Sequence, residues 1–334
     1  MPERIEIVLP GLFDLPLAEL PRESVERDLP NLNRILRFGK PRPNHAYSVD
    51  TMLRRALGWS IEASVSLPMA QAFAPDEERE QARHILCEPV HLHPDLRSAV
   101  IVPIEKNADN LTDITILINR LNELFKVDCD MSAVAEGVFL LRLENLHAPQ
   151  HYPHILSVLG KTANPYIEQS RADLPWYRLL NEMQMFMHQH EVNQRRQRRG
   201  LLPINSLWCW GGGNPPAPVD RNLAWYCDDP LLNGFARSVG LDPVSVDQIE
   251  AGEIGGEVII VDLRLLEGLK TGQAVALDQL LVDIERQILA PLSPMRSARL
   301  RLRGGFNYDF CLDPGAGMRF WRRRKSLLDW RQPG

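Results

Sequence analysis

Met187–Gly213, reading MHQHEVNQRRQRRGLLPINSLWCWGGG, holds most of the residue types in this 334-residue chain that could do chemistry. Arg195, Arg196, Arg198 and Arg199 form a basic run. An arginine offers a planar fork to a phosphate or carboxylate. The β-prone run Asn205–Trp210 then leads into Gly211-Gly212-Gly213, where bare backbone N–H groups could face an anion. Trp208 and Trp210 alternate on that run and share a face, so they could report what binds beside them. The candidate ligand-binding set is Asn193, Arg195, Arg199, Asn205, Trp208, Trp210, Gly211, Gly212 and Gly213. The same residues have a plainer reading. The arginines suit a solvated helix end, the tryptophans suit a core, and the glycines suit a tight strand exit. No Lys-Ser/Thr follows the glycines and no G-x-G-x-x-G is completed, so they are not a nucleotide loop.

Other clusters carry less. His188 and His190 are two apart on a helical pattern and point to different faces, so they cannot chelate one ion together. His91 and His93 alternate on a strand and share a face, but the sequence offers no third ligand. His147, His151 and His154 lie in a polar connection and read as solvated. The five cysteines are odd in number and contain no C-x-x-C pair. Buried free thiols in a reducing cytoplasm are expected. RFWRRRK at 319–325 reads as a solvated basic tail that could touch an acidic partner.

The elements that must position these residues can be read from composition and periodicity. Apolar residues make up 44% and charged residues 24%, which excludes wholesale disorder. A net charge of −5 disfavours nucleic acid as the partner. No window approaches the roughly 18–20 apolar residues of a membrane span. MPERIEIVLPGLFD lacks a secretory leader's basic and apolar regions and reads as a first strand. Strands are expected at 4–9, 84–92, 99–105, 137–144, 205–210 and 255–263. Helices are expected at 30–38, 48–57, 110–125, 176–190, 231–239 and 273–289. The stretch 147–164 reads as an irregular connection, and 213–220 as a Pro-rich loop. Strands alternating with helices at both ends, around a different middle, imply an α/β core with an inserted subdomain.

Motifs in the chain resemble a known family. Residues 187–213 resemble the His-x-Val-Asn, basic run, Gly-x-x-Pro-x-Asn, strand, Gly-x-Gly pattern of archaeal-type cofactor-independent phosphoglycerate mutases, members of the alkaline phosphatase superfamily. VLPGL (8–12) resembles that superfamily's first strand, LPNLNRILRFG (29–39) an early helix, and DTMLRRALGW (50–59) the helix after the nucleophile. A closer match comes from VLPGL, EPVHL (88–92), WYRLLNEMQM (176–185) and GLLPINSLWCWGGG (200–213) with a motif-free tail. Together these look like the RpfE-type regulatory proteins, which are bacterial.

The resemblance implies an α/β fold, alkaline-phosphatase-like: a mainly parallel sheet with helices on both faces and an inserted α+β subdomain. Residues 1–85 would form the first part of the core, 86–160 the insert and 161–334 the second part. The superfamily's phosphoryl transfer uses two divalent cations held by Asp and His, beside a Ser or Thr nucleophile. Here the first strand ends in Pro10, not a ligand Asp, and Val49 stands at the nucleophile position. Ser48 is one residue away, which on a helix turns a side chain by about 100°. All nine histidines lie at or before His190, no Asp-His dipeptide occurs, and Glu267–Thr271 replaces Asp-x-x-x-His. The expectation is a catalytically degenerate protein with no catalytic residues, metal site or cofactor. It would act in the cytoplasm by binding a small anionic ligand or a protein. An active mutase or phosphatase with a different site is the alternative.

Overall fold

The computed structural model describes residues 4–16, 25, 27–44, 48–60, 66–95, 98–167, 174–214, 216, 218–219, 222–250, 256–271, 277–295, 297–305, 308–316 and 326–329. The basic run 319–325 lies outside them. The chain divides into two compact units, Met1–Ile61 with Pro218–Gly334, and Glu62–Ala217. No helix among the described residues is long and apolar enough to cross a membrane.

The first unit is built on seven strands: β1 (Arg4–Val8), β2 (Lys40–Pro43), β8 (Leu223–Cys227), β9 (Pro243–Val244), β10 (Glu257–Val261), β11 (Arg299–Arg303) and β12 (Tyr308–Leu312). Their order is β2-β12-β11-β1-β10-β8-β9. From β11 to β9 all pairings are parallel, and β12 alone is reversed, antiparallel to both its neighbours β11 and β2. β1 (RIEIV) lies between β10 and β11, and residues 5–8 are buried on both faces, Ile5 and Ile7 on one, Val8 and Glu6, only 2% exposed, on the other.

Ile5, Ile7, Val258, Ile260, Leu300 and Leu302 point to one face, where they meet Leu32, Leu36, Leu265, Leu281 and Ile288 from helices. Helices Val49–Leu57 and Pro230–Ser238 pack on β1 and β8, and Trp59 meets Phe235 edge-on at 5.9 Å. The sheet is therefore mixed, mainly parallel and covered by helices, which is the fold class expected.

Two local features govern this unit. Helix Pro30–Phe38 has Pro at its start but Leu29 at its N-cap, which has no side-chain oxygen to offer. The buried Glu285 carboxylate takes over, accepting from Asn31 N at 2.7 Å, Asn31 Nδ2 at 2.8 Å and Leu32 N at 3.0 Å. Glu285 opens a π-helical turn, Glu285–Leu289, which continues helix Leu277–Ile284. The second feature is a buried ionic network on the edge side of β1. Arg303, 1% exposed, donates to Glu6 at 2.9 Å and to Asp309. Asn44 donates to Asp309 at 2.7 Å, and Arg4 and Arg301 flank Glu6 at 2.6 and 3.7 Å.

The second unit holds β3 (His84–Asp95), β4 (Ser98–Pro103), β5 (Cys129–Ala135), β6 (Val138–Leu143) and β7 (Ser206–Trp210). All its pairings are antiparallel, and β3 is shared by β4, β6 and β7. Helix Ala108–Leu124 buries Ile114, Leu117, Ile118 and Leu121, the three- and four-residue spacing read from sequence. The boundaries 86 and 160 fall inside this unit, because β7 pairs with β3 and helix Leu174–Gln189 packs on β7. Several elements escaped the sequence reading, besides the short β2 and β9. The main ones are β5, β8 and helix Arg264–Thr271.

Candidate functional site

Ligands of open α/β sheets bind at the C-terminal ends of the parallel strands. In the first unit those ends carry Leu9-Pro10-Gly11 after β1, Asp228-Asp229 after β8, Asp262 after β10 and Gly304-Gly305 after β11. Pro10 brings no donor atom. Gly11 has φ +90°, and a Cβ there would come within 3.0 Å of the Leu266 backbone, so helix Arg264–Thr271 closes over this turn.

The carboxylates at this edge are each engaged separately. Asp262 is buried and forked by Arg264, with Nη2 at 2.6 Å from Oδ2 and Nε at 3.0 Å from Oδ1. The same hydrogen bonding holds the Arg264 guanidinium pKa above its ordinary value. Asp228 accepts from Ser245 Oγ at 2.6 Å and Val246 N at 3.2 Å. Asp229 caps helix Pro230–Ser238 through Leu232 N at 2.8 Å. Burial pushes the Cys227 thiol well up, so it is no nucleophile at neutral pH.

At the start of helix Val49–Leu57, Val49 is fully buried. Ser48 Oγ serves as the N-cap, 3.2 Å from Thr51 N and 3.1 Å from Thr51 Oγ1. Among the described residues no three His, Cys, Asp or Glu side chains are grouped as a cation site. These residues do not fit a dinuclear cation centre. One carboxylate is neutralised by a guanidinium, two are tied to backbone N–H groups or a hydroxyl, and Pro10 and Val49 supply no side-chain oxygen.

The candidate set at 193–213 lies in the second unit. Asn193 is fully buried and clasps its own loop, donating to Met187 O and Ile204 O at 2.7 Å and accepting from Ile204 N at 2.8 Å. Asn205 does the same across strands, accepting from Leu92 N at 2.7 Å and donating to Leu92 O at 3.1 Å. Arg195 pairs with Asp113 at 2.5 Å and Arg199 with Asp109 at 3.0 Å. Both aspartates sit on helix Ala108–Leu124. Arg196, absent from the candidate set, is the buried member, bonding Asp113 at 2.9 Å and Asn110 at 2.7 Å. Its signal in sequence was the i+3 spacing from Asn193, which puts both on one helix face.

The tryptophans are likewise engaged. Trp208 Nε1 donates to Pro153 O at 3.1 Å, and its ring meets Tyr152 and Tyr166 edge-on. Trp210 Nε1 donates to Glu88 at 3.1 Å. The Gly211, Gly212 and Gly213 carbonyls accept from Ala70 N, Ser66 Oγ and Gln71 Nε2. A Cβ on Gly212 would lie 2.5 Å from Pro149 O, so close packing demands glycine there. The structure thus groups the tryptophans and glycines on one sheet. It ties Arg195 and Arg199 to a helix, without a contact that draws them toward the glycines.

The histidines also settle into definite roles. His190 Nδ1 caps helix Glu191–Arg198 through Val192 N, and His188 is exposed. His91 Nδ1 bonds Pro203 O at 2.9 Å and lies 3.4 Å from His93. His147 is exposed, but His154 is buried beside Trp210, so the expected solvated trio does not hold. Its Nδ1 accepts from Leu156 N at 3.3 Å, and burial lowers its pKa to about 3. Cys87 and Cys209 are buried cross-strand partners.

No family model matches the chain. A phosphoglycerate mutase from Methanosarcina barkeri, named as 2,3-bisphosphoglycerate-independent, is 26% identical over 113 residues. That is 32% of this chain and 28% of the mutase. A probable enzyme of the same name from Geobacter sulfurreducens is 25% identical over 101 residues, 28% of this chain and 25% of its own length. The chain thus matches little more than a quarter of these curated relatives. The PH0037 protein from Pyrococcus horikoshii superposes over 94% of this chain and 88% of its own, with 15% identity and a TM-score of 0.50. A cofactor-independent phosphoglycerate mutase from Thermoplasma acidophilum aligns at 17% identity and a TM-score of 0.38, over 94% of this chain and 90% of its own. The chain is phosphoglycerate-mutase-like over part of its sequence, within an α/β fold shared with the Pyrococcus protein.

Proposed function

We propose that this chain is a catalytically degenerate relative of the cofactor-independent phosphoglycerate mutases. In this reading it works by binding, in a regulatory role of the RpfE type, inside a reducing bacterial cytoplasm. Its target is a small anion or a protein. The observation that carries the proposal is the donor set at the strand ends. Pro10 and the buried Val49 stand where the superfamily needs a ligand and a nucleophile, and Arg264 occupies Asp262. A dinuclear site needs several carboxylate or imidazole donors aimed at one point.

The test is elemental analysis of protein purified without chelator, joined to a mutase assay with 3-phosphoglycerate in the presence of Mn²⁺ or Zn²⁺. The expected result is no tightly held metal pair and no turnover. Two bound transition metals with mutase activity would restore the alternative, an active mutase or phosphatase.

For the segment 193–213, support is the reading that suits its hydrogen bonds. Anion binding there would require Arg195 and Arg199 to leave Asp113 and Asp109. A tryptophan-fluorescence titration with small phosphorylated and carboxylated metabolites is expected to show no saturable change below millimolar. Arg195→Ala and Arg199→Ala are expected to behave alike in this titration; Arg199–Asp109 is an exposed pair worth about 0–1 kcal/mol, whereas the buried Asp113 keeps Arg196 when Arg195 is removed. A saturable response lost in both variants would reinstate the glycine-edge site.

A further inference from the structure

The last turns of β3 read HLHPD, and the strand's alternation puts His91 and His93 on one face. Their direct neighbours on β4 are Val102 and Val100, whose side chains bring no charge to the pair. His91 is 5% exposed and His93 is exposed, so the outer ring stands between the inner one and solvent. The rings are tilted by 54° with centroids 5.6 Å apart, and they meet nitrogen to nitrogen. His91 Nε2 and His93 Nδ1 are 3.4 Å apart.

The tautomers follow from the other side of His91. Its Nδ1 lies 2.9 Å from Pro203 O. A carbonyl oxygen only accepts, so Nδ1 carries the proton and Nε2 of the neutral ring carries a lone pair. The 3.4 Å contact is then a donation from His93 Nδ1 to His91 Nε2. The segment that holds Pro203 O is fastened in place, since Asn205 bonds the Leu92 N–H and carbonyl at 2.7 and 3.1 Å. Histidines that ligate metals nearly always donate their second ring N–H to a carboxylate, a backbone carbonyl or water, which fixes tautomer and ring orientation. His91 already has that support, with Nε2 as its ligating atom.

We propose that His91 Nε2 and His93 Nδ1 form a two-imidazole chelate for a single borderline divalent cation, zinc foremost, with water or an incoming ligand in the remaining positions. Two nitrogens bound at about 2.0–2.1 Å to one tetrahedral zinc are roughly 3.3–3.4 Å apart, which the pair matches without backbone movement. On binding, His93 gives its Nδ1 proton to solvent and takes one at Nε2, so both rings stay neutral and the cation replaces the shared proton. Imidazole donors suit zinc, nickel and copper, whereas magnesium and calcium take oxygen. Among the described residues no third His, Cys, Asp or Glu is grouped with the pair, so the cation is exchangeable rather than structural. The proposal is independent of the degenerate-mutase reading, since it concerns the second unit, one cation and no catalysis.

The test is calorimetric titration of the metal-free full chain with Zn²⁺ near pH 7.5, with Mg²⁺ as the comparison. One saturable zinc site is expected, with a Kd on the order of 10 µM, and no magnesium binding in that range. His93→Gln, at an exposed position, is expected to weaken zinc by about tenfold or more. His91→Gln is expected to do the same, and should it fail to fold, His93→Gln decides alone. His188→Gln, exposed on a helix of the same unit, is expected to bind as the parent does. No saturable zinc binding below millimolar, equal binding of magnesium, or a His93→Gln affinity within about twofold of the parent would each overturn the proposal. Two equivalents of zinc held equally by the parent and His93→Gln would overturn it as well, and would point instead to a dinuclear centre elsewhere in the chain.

Discussion

Arg303→Met is expected to destabilise the first unit by about 3–5 kcal/mol, the usual loss when one member of a buried ion pair is removed. Arg303 is 1% exposed and serves Glu6 and Asp309 at once. Methionine fills much of the volume but leaves two buried carboxylates short of a counter-charge. Glu6 retains Arg4 at 2.6 Å, whereas Asp309 keeps Asn44 at 2.7 Å. Burial already raises the Asp309 pKa. A carboxylate raised in the folded state favours folding most below its unfolded value and loses that contribution as pH rises. The variant's deficit should therefore grow as pH rises above the ordinary carboxylate range. Urea denaturation of the parent, Arg303→Met, Glu6→Gln and the double variant measures this. The double variant should lose less than the sum of the singles, because its partners act as one network. Strict additivity with each loss under about 1 kcal/mol would mean that the network contributes little.

The second large effect is a pH dependence. Acidification from about pH 7 to pH 5 should cost the second unit about 2 kcal/mol through His154 alone. Burial holds the folded His154 pKa at about 3, against 6.5 for an unperturbed histidine. The unfolded chain therefore binds a proton that the folded chain refuses. His154's contribution is complete above pH 6.5 and is lost progressively as pH falls toward 3. The hydrogen bond from Leu156 N to Nδ1 requires that nitrogen unprotonated, in agreement with this direction. His84, His91 and His190 are lowered too and add to the slope. The informative quantity is thus the difference between the parent and His154→Asn. Denaturation at the two pH values should give a shallower slope for the variant, whatever its absolute stability. Equal slopes would mean that His154 titrates normally.

Most helices and strands were legible because their periodicities are long and their ends are marked. Pro30 and Gly39 bracket one helix, and Ser48 and Gly58 another, the latter with φ +73° at Gly58. The missed elements had weak local signals. LAWYC (223–227) is short and follows a Pro-rich stretch, and its strand identity comes from pairing with β10, distant in sequence. The candidate site was legible only as residue types. Nothing local revealed that Arg195 and Arg199 are met by Asp113 and Asp109, because those pairings span 82 and 90 positions. The solvated reading of His154 failed similarly, since the ring that covers it, Trp210, lies on β7. By contrast, the missing donors at Pro10 and Val49 were visible at once, because an absent side-chain oxygen needs no tertiary context.

The carboxylate that completes the N-terminus of helix Pro30–Phe38 comes from Glu285, 254 positions further along. β1 likewise waits for partners at 257–261 and 299–303. During synthesis at about 5–20 residues per second, the first strand and first helix must stay incomplete for roughly ten seconds to a minute. In that interval Glu62–Ala217 emerges whole and can close its own antiparallel sheet. The order of birth along the chain is thus the reverse of the order of completion. Within this unit the strand made first is among the last to find its place. The RIEIV strand, with Ile5, Ile7 and Val8 uncovered and both edges unpaired, is open to other strands during that delay.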